Sequence, residues 1–266
     1  MSDRVKIYSD GDIDYRSKRI IIADLDGTIA PSKSQMDGEM AALIAELLDY
    51  KAFALISGGK YEQFRKQFIG ALNISPGHME RLYLFPTCAT TLYRFQDGEW
   101  KQIYAEKLDE KEKRKIMDSF ESALRSSGFE RPERLYGDML EDRDTQVTFS
   151  ALGQQAPLEL KSVWDPDQAK RKRIKAELDK LIPEFEVRIG GATSIDVTRK
   201  GIDKAYGIRK IESYLHYGLS EMLFIGDAIF EGGNDYPAKE AGVECIQVEG
   251  PEETKAVIRE IIKASR

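Results

Sequence analysis

The chain has 266 residues, 41% hydrophobic and 32% charged, enough for one large domain or two modest ones, each with a packed core. Its 46 Asp and Glu outnumber 40 Lys and Arg, and the formal charge of -6 excludes a general electrostatic attraction for nucleic acid or anionic lipid. No apolar run approaches the length of a membrane span, and Asp3, Asp10 and Asp12 stand where a signal peptide needs an apolar stretch. Cys88 and Cys245 make neither a disulfide framework nor a zinc cluster. A cytoplasmic protein without nucleic-acid or membrane partners is expected.

The first buried strand is Arg19 to Ala23, an unbroken apolar run ending in Asp24-Leu25-Asp26-Gly27-Thr28. From Asp37 onward, Met40, Leu43, Ile44, Leu47 and Leu48 make one apolar helical stripe, with Asp37 or Ser34 as cap. Phe53 to Ile56 is a second strand, ending in Ser57-Gly58-Gly59 before a helix with Phe64 and Phe68 on one side. Strand, helix, strand, helix opens a parallel α/β layer. The C-terminal part continues it: Met222 to Ile225 runs into Gly226-Asp227, Glu244 to Val248 is another strand, and Pro251 opens a final helix.

Between these halves the pattern changes to alternating segments, Leu92 to Phe95, Gln146 to Phe149 and Phe185 to Ile189, with charged helices over 107–127 and 165–181. Half-exposed antiparallel strands with helices on one face fit that pattern. The expected layout is a core of residues 1–87 and 189–266, interrupted by an inserted α+β domain of residues 88–188. Gly77 and Gly190-Gly191 fall near enough to these crossings to act as hinges, and Cys88 lies at the first. The run Lys170-Arg171-Lys172-Arg173 reads as the solvated face of a helix, Tyr83, Phe85 and Tyr93 as strand core, and two histidines, His78 and His216, leave no basis for a His triad or zinc site.

Asp24 and Asp26 leave a buried strand at its carboxyl end, where open α/β sheets place their ligand crevices. Two carboxylates about 4 Å apart repel by about 4 kcal/mol at an effective dielectric near 20, so the pair calls for a cation, a shared proton or a phosphate with its metal. Mg2+ suits such hard oxygen donors. A calcium loop counted from Asp24 fails, since Ile29 stands where Gly is required and Gln35 where Glu is required. An isolated Asp-x-Asp-Gly is often only a turn, but here Ser57, Lys200 and Lys204, Asp227, and Gly232-Gly233-Asn234-Asp235 follow in order, most of them at strand ends.

In this company the sequence resembles the haloacid dehalogenase superfamily. The resemblance implies a Rossmann-like three-layer α/β/α core with an inserted α+β cap. It implies that Asp24 is the nucleophile forming an aspartyl-phosphate, Asp26 the general acid and base, Ser57 a hydroxyl donor and Lys204 the neutralising cation. It further implies a Mg2+ site at Asp24, Asp26, Asp227 and Asp235, with Asn234 behind it and Gly58 beside the substrate. Within the superfamily the chain is most similar to the eukaryotic-type phosphomannomutases, through Gly232-Gly233-Asn234-Asp235-Tyr236, Gly250-Pro251-Glu252-Glu253-Thr254 and Ser194-Ile195-Asp196-Val197. That likeness implies a cap site for the distal phosphate at Arg143, Gln154 and Lys161, with Ser194 and Asp196 for sugar hydroxyls, and it allows cap-mediated homodimers. Two departures stand out: Gln154, at an arginine position, carries no charge, and Ser57-Gly58-Gly59 inverts the mutases' Gly-Gly-Ser order. Both favour hydrolysis, so a Mg2+-dependent phosphatase of a small phosphorylated sugar is the leading expectation. A phosphomannomutase is the alternative, and a non-catalytic sugar-phosphate or Mg2+ binding protein the second.

Overall fold

The computed structural model describes residues 6–8 and 12–266; Asp3 and Asp10 lie outside them. Twelve strands are described: β1 Lys6–Tyr8, β2 Ile20–Ala23, β3 Ala52–Ile56, β4 Leu82–Phe85, β5 Thr91–Gln96, β6 Glu99–Ala105, β7 Leu140–Asp142, β8 Val147–Ser150, β9 Phe185–Gly190, β10 Ser194–Arg199, β11 Met222–Gly226 and β12 Glu244–Gln247. They form an eight-stranded sheet in the order β1-β12-β11-β2-β3-β4-β5-β6 and a four-stranded sheet in the order β7-β8-β10-β9. The chain accordingly divides into one unit ending at Ala105 and resuming at Asp203, and a second over Glu106–Ile202.

In the first unit β12, β11, β2, β3 and β4 are parallel, flanked by antiparallel β1 and by the β5–β6 hairpin. All four residues of β2 are buried, and they alternate between two apolar layers. Ile21 and Ala23 face one layer with the helices Gly38–Tyr50 and Pro251–Ser265, while Ile20 and Ile22 face the other with the helix Lys204–Leu215. This is the three-layer α/β/α core. Asp37 caps its helix as expected, accepting from Met40 N at 2.8 Å.

The second unit is wholly antiparallel. Ile195 and Val197 of β10 pack with Phe149 of β8 against Phe120 of the helix Glu110–Ser126 and Leu178 of the helix Ala169–Leu181. A capping box, Asp109 with Glu112, starts the first of these helices.

The boundaries differ from those expected. The crossings fall after Ala105 and before Asp203, not at 88 and 188. Antiparallel alternation identified β5 correctly as a half-exposed strand, but β5 pairs with β4 and so extends the core sheet. β10, expected in the core, is an inner strand of the second sheet. Gly77 and Gly190-Gly191 therefore do not sit at the crossings: the first lies in the short helix Pro76–Met79, the others at the β9–β10 turn. Among the described residues no helix is long and apolar enough to cross a membrane.

The basic run also departs from a purely solvated face. Lys170, Lys172 and Arg173 are exposed, but Arg171 is 2% exposed. Its Nε donates to Asp165 Oδ2 at 2.9 Å and its Nη1 to Gly190 O at 3.2 Å and Gly191 O at 2.5 Å, tying the helix to the β9–β10 turn. Removing one partner of a buried pair leaves the other charge uncompensated, at a cost of about 3–5 kcal/mol. Arg171→Ala should therefore lose about 3 kcal/mol of unfolding free energy in urea denaturation, whereas Lys172→Ala should change it by less than about 0.5 kcal/mol.

Candidate active site

The site is assembled at the carboxyl ends of β2, β3 and β11. Asp24 follows β2 and is 4% exposed; Asp227 follows β11; Asp235, fully buried, ends the Phe230–Asp235 turn. One carboxylate oxygen from each of these three lies within 4.8 Å of the others. Close approach needs small neighbours: a Cβ on Gly27, whose φ is +90°, would stand 2.6 Å from Asp227 Oδ2, and one on Gly226 would stand 2.5 Å from Asp235 Oδ2.

Lys204 opens its helix just after the cap residue Asp203 and is buried among these acids. Its Nζ donates to Asp24 Oδ1 at 2.5 Å and to Ile56 O, and faces Asp235 Oδ1 at 3.3 Å. Lys200, the other candidate lysine, is exposed and belongs to the second unit. Three carboxylates against one ammonium leave a surplus of two negative charges. The electrostatics follow. Burial raises the Asp24 carboxyl well above its ordinary range, opposed by Lys204 and reinforced by Asp235 and Asp227. Burial, then Asp235, pushes Asp227 up to about 6 against a hydrogen bond from Thr28. Burial alone would lower Lys204, but Asp24 and Asp235 outweigh it and hold it above the usual lysine range.

These residues fit a hard divalent cation. Asp235 Oδ1 is buried and makes no hydrogen bond despite its nearness to Lys204, and the donors are all carboxylate oxygens. Asp26 stands outside the trio, contrary to the four-carboxylate expectation. Alternation along a strand brings i and i+2 to one side only while the chain stays extended; β2 ends at Ala23, and Asp26 already belongs to a turn that bridges to Ala30. Its Oδ1 accepts from Lys33 N at 2.5 Å and from Gln67 Nε2 at 3.1 Å, a placement open to general acid chemistry.

Ser57 is 4% exposed in the loop leaving β3, its Oγ accepting from Gly59 N at 3.4 Å, and Gly58 beside it is half-buried. Asn234 is exposed in the turn before Asp235. Thr28, which donates to Asp227 Oδ1 at 3.2 Å, and Gln67 were not singled out from sequence. Thr28 sits in the Asp24–Thr28 string and could have been; Gln67 is distant in sequence and gives no local signal.

The remaining expected residues lie in the second unit and form two groups there. Arg143 Nη2 donates to Gln154 Oε1 at 3.3 Å and Lys161 Nζ to Gln154 O at 2.9 Å, so all three meet, while Arg143 Nε pairs with Glu141 at 2.8 Å. Gln154 Nε2 is buried and makes no hydrogen bond. Ser194 and Asp196 share the face of β10 opposite its apolar residues, and Asp196 Oδ1 accepts from Thr148 Oγ1 at 2.6 Å, itself receiving a bond from Gln146 Nε2 at 2.8 Å.

The pH response of the cation site follows from Asp227. Its folded pKa is raised, so the folded state keeps its proton up to about pH 6 where the unfolded chain loses it near 4, and rising pH across that window costs stability through this group. Cation binding requires the ionised form and offsets that loss above it. Mg2+ should raise the melting temperature clearly at pH 7.5 and much less at pH 5, and Asp227→Asn should lose most of the gain; differential scanning fluorimetry reads both.

Comparison with known proteins agrees with this geometry. A sequence profile of the family "Eukaryotic phosphomannomutase" matches residues 40–264. Phosphomannomutase of Saccharomyces cerevisiae is 26% identical over 230 residues, 84% of this chain and 86% of that one, and the Spinacia oleracea enzyme 27% over 223 residues, 82% and 84%. Among solved structures, N-terminally truncated IMP-nucleotidase of Plasmodium falciparum shares the fold with TM-score 0.69 at 19% identity, covering 93% of this chain and 71% of that one. A haloacid dehalogenase-like hydrolase from Bacteroides thetaiotaomicron does so with TM-score 0.61 at 13% identity, covering 92% and 99%. A buried aspartate at a strand end, its lysine and an acidic trio thus occur in a chain that a single family profile matches over most of its length: the chain belongs to the eukaryotic phosphomannomutase family.

Proposed function

We propose that the chain catalyses Mg2+-assisted phosphoryl transfer on a phosphorylated hexose and acts as a phosphomannomutase. The observation that carries the chemistry is Asp24, buried at the end of β2 and ion-paired to Lys204 beside Asp227 and Asp235. The family match over most of the chain supports the mutase ahead of the phosphatase that the sequence departures favoured.

A carboxylate oxygen of Asp24 attacks phosphorus as the bond to the departing sugar oxygen breaks, and Asp26 supplies the proton that oxygen needs. Gln67 and Lys33 N fix the Asp26 carboxyl for that transfer. Lys204 offsets the charge gathering on Asp24 and the phosphoryl oxygens, to which Ser57 donates through its hydroxyl. Held by Asp24, Asp227 and Asp235, Mg2+ supplies the remaining positive charge. The phosphoryl group then passes from Asp24 to an incoming hydroxyl, from which Asp26 takes the proton.

In the mutase reading, that hydroxyl is the free one of a hexose monophosphate. The hexose bisphosphate so formed turns end for end and returns its other phosphoryl group to Asp24, releasing the isomeric monophosphate, and Arg143, Gln154 and Lys161 are the groups proposed to bind the phosphate that is not reacting. A second reading, hydrolysis, draws on a specific observation. Gln154 carries no charge, and Arg143 is already paired with Glu141. A charge-assisted bond is worth about 1.5–3 kcal/mol against about 1 for a neutral one, so the intermediate is held less tightly and water gains access.

Offered mannose 1-phosphate with a catalytic amount of hexose bisphosphate, the enzyme should accumulate mannose 6-phosphate. Free phosphate as the sole product would replace the mutase by the phosphatase. Asp24→Asn should lower turnover about a thousandfold or more, and turnover unchanged by it would overturn the role of Asp24. Gln154→Arg should lower the KM for the bisphosphate about five- to thirtyfold, measured by steady-state kinetics.

A further inference from the structure

Between β4 and β5 lies the turn Pro86–Ala89, in which Thr87, Cys88 and Ala89 have φ of 50°, 56° and 65°. The left-handed region is unfavourable for an L residue, and a β-branched threonine is the least suited to it. Such a run persists only where its surroundings over-determine it. One set of bonds closes the turn on itself: Thr87 Oγ1 lies 2.6 Å from Thr90 Oγ1 and 3.3 Å from Thr91 Oγ1, and Thr90 Oγ1 donates to Thr87 O at 2.7 Å. All three threonines are buried.

The other bonds reach the loop that carries Ser57. Thr87 N donates to Gly59 O at 2.9 Å and Cys88 N to Ser57 O at 3.0 Å. On the opposite flank Ala89 is buried in the apolar layer of Ile56 and Ile208. There Gly207, in the helix that Lys204 opens, comes so close that a Cβ on it would stand 2.8 Å from Ile56 Cδ1 and 3.2 Å from Ala89 Cβ. Lys204 Nζ in turn bonds the carbonyl of Ile56, the residue before Ser57.

We infer that Thr87–Ala89 is a positioning turn: its left-handed backbone holds the Ser57–Gly59 loop, and Ala89 against Gly207 seats the helix of Lys204, in the mutual geometry that phosphoryl transfer to Asp24 requires. The inference rests on the roles proposed for Ser57 and Lys204. The turn acts through those residues, so its loss affects turnover more than substrate affinity.

Two substitutions at Cys88 separate backbone from side chain. Glycine keeps the N–H and accepts positive φ; valine keeps the N–H and resists it. With p-nitrophenyl phosphate as a probe independent of the sugar, Cys88→Gly should keep kcat within about twofold, and Cys88→Val should lower it about tenfold with KM little changed. In a Ser57→Ala background the valine effect should shrink to less than about fivefold, the remainder passing through Lys204. A Cys88→Val enzyme with wild-type kcat, or a full tenfold loss persisting without the Ser57 hydroxyl, overturns the inference. A further variant decides without turnover: Thr87→Val keeps the side-chain shape but removes the Oγ1 bonds, and should speed hydrogen exchange at the Thr87 and Cys88 amides relative to those of β12. Unchanged exchange there overturns the inference even if the wild type proves inactive, an outcome that would separately defeat the proposed function.

Discussion

Three carboxylates and one ammonium in a buried space set the terms for the rest of the core. Two charges within 4.8 Å repel by about 3.5 kcal/mol or more at an effective dielectric near 20, and Lys204 can offset only part of that. The acids are nonetheless kept together by elements that cannot easily give way. Asp24 and Asp227 leave adjacent parallel strands whose residues are fully buried, Asp235 is anchored through the Ala228 N–H, and glycines at 27 and 226 remove the atoms that would force the acids apart. The apolar layers on both faces of β2 and β11 thus do more than stabilise the sheet. They maintain an electrostatic demand that a divalent cation can meet.

Much of this arrangement was legible in the residues themselves, because its parts are signalled locally. β2, β3 and β11 are short apolar runs buried on both faces, and each ends in the residue or dipeptide that the site uses. What escaped was information carried by pairing. Alternation in β5 announces an antiparallel strand but not which sheet receives it, and nothing local in β10 tells the core from the inserted unit, so both domain boundaries differ from those expected. The spacing of Asp24 and Asp26 suggested a shared direction, which the turn at Asp26 cancels. Arg171 sits among basic neighbours that face water, and only the Asp165 carboxylate and the β9–β10 turn, brought to it by the fold, distinguish it. Gln67 has no sequence signature, since its role toward Asp26 depends on a contact between distant segments.

Single residues in the second unit and at Ser57 pointed to hydrolysis, while similarity spread over most of the chain pointed to the mutases. The structure explains how both can be read from one sequence. Gln154 is not an empty replacement for a cation: it lies between Arg143 and Lys161, accepts from both, and retains a buried amide hydrogen-bond donor of its own. If this cluster binds a sugar phosphate as proposed, a neutral donor in that place weakens the hold on the anion without abolishing it.

The excursion of the chain from Ala105 to Asp203 has a consequence for how such an enzyme can diversify. Every residue assigned to bond making and breaking lies outside that segment, and the strands flanking the nucleophile pair with one another directly. The entropy of closing a loop grows only logarithmically with its length. Exchanging the inserted unit for a longer, shorter or differently lined one therefore perturbs the core little, so that selection can rewrite what is recognised while the reacting groups are inherited unchanged.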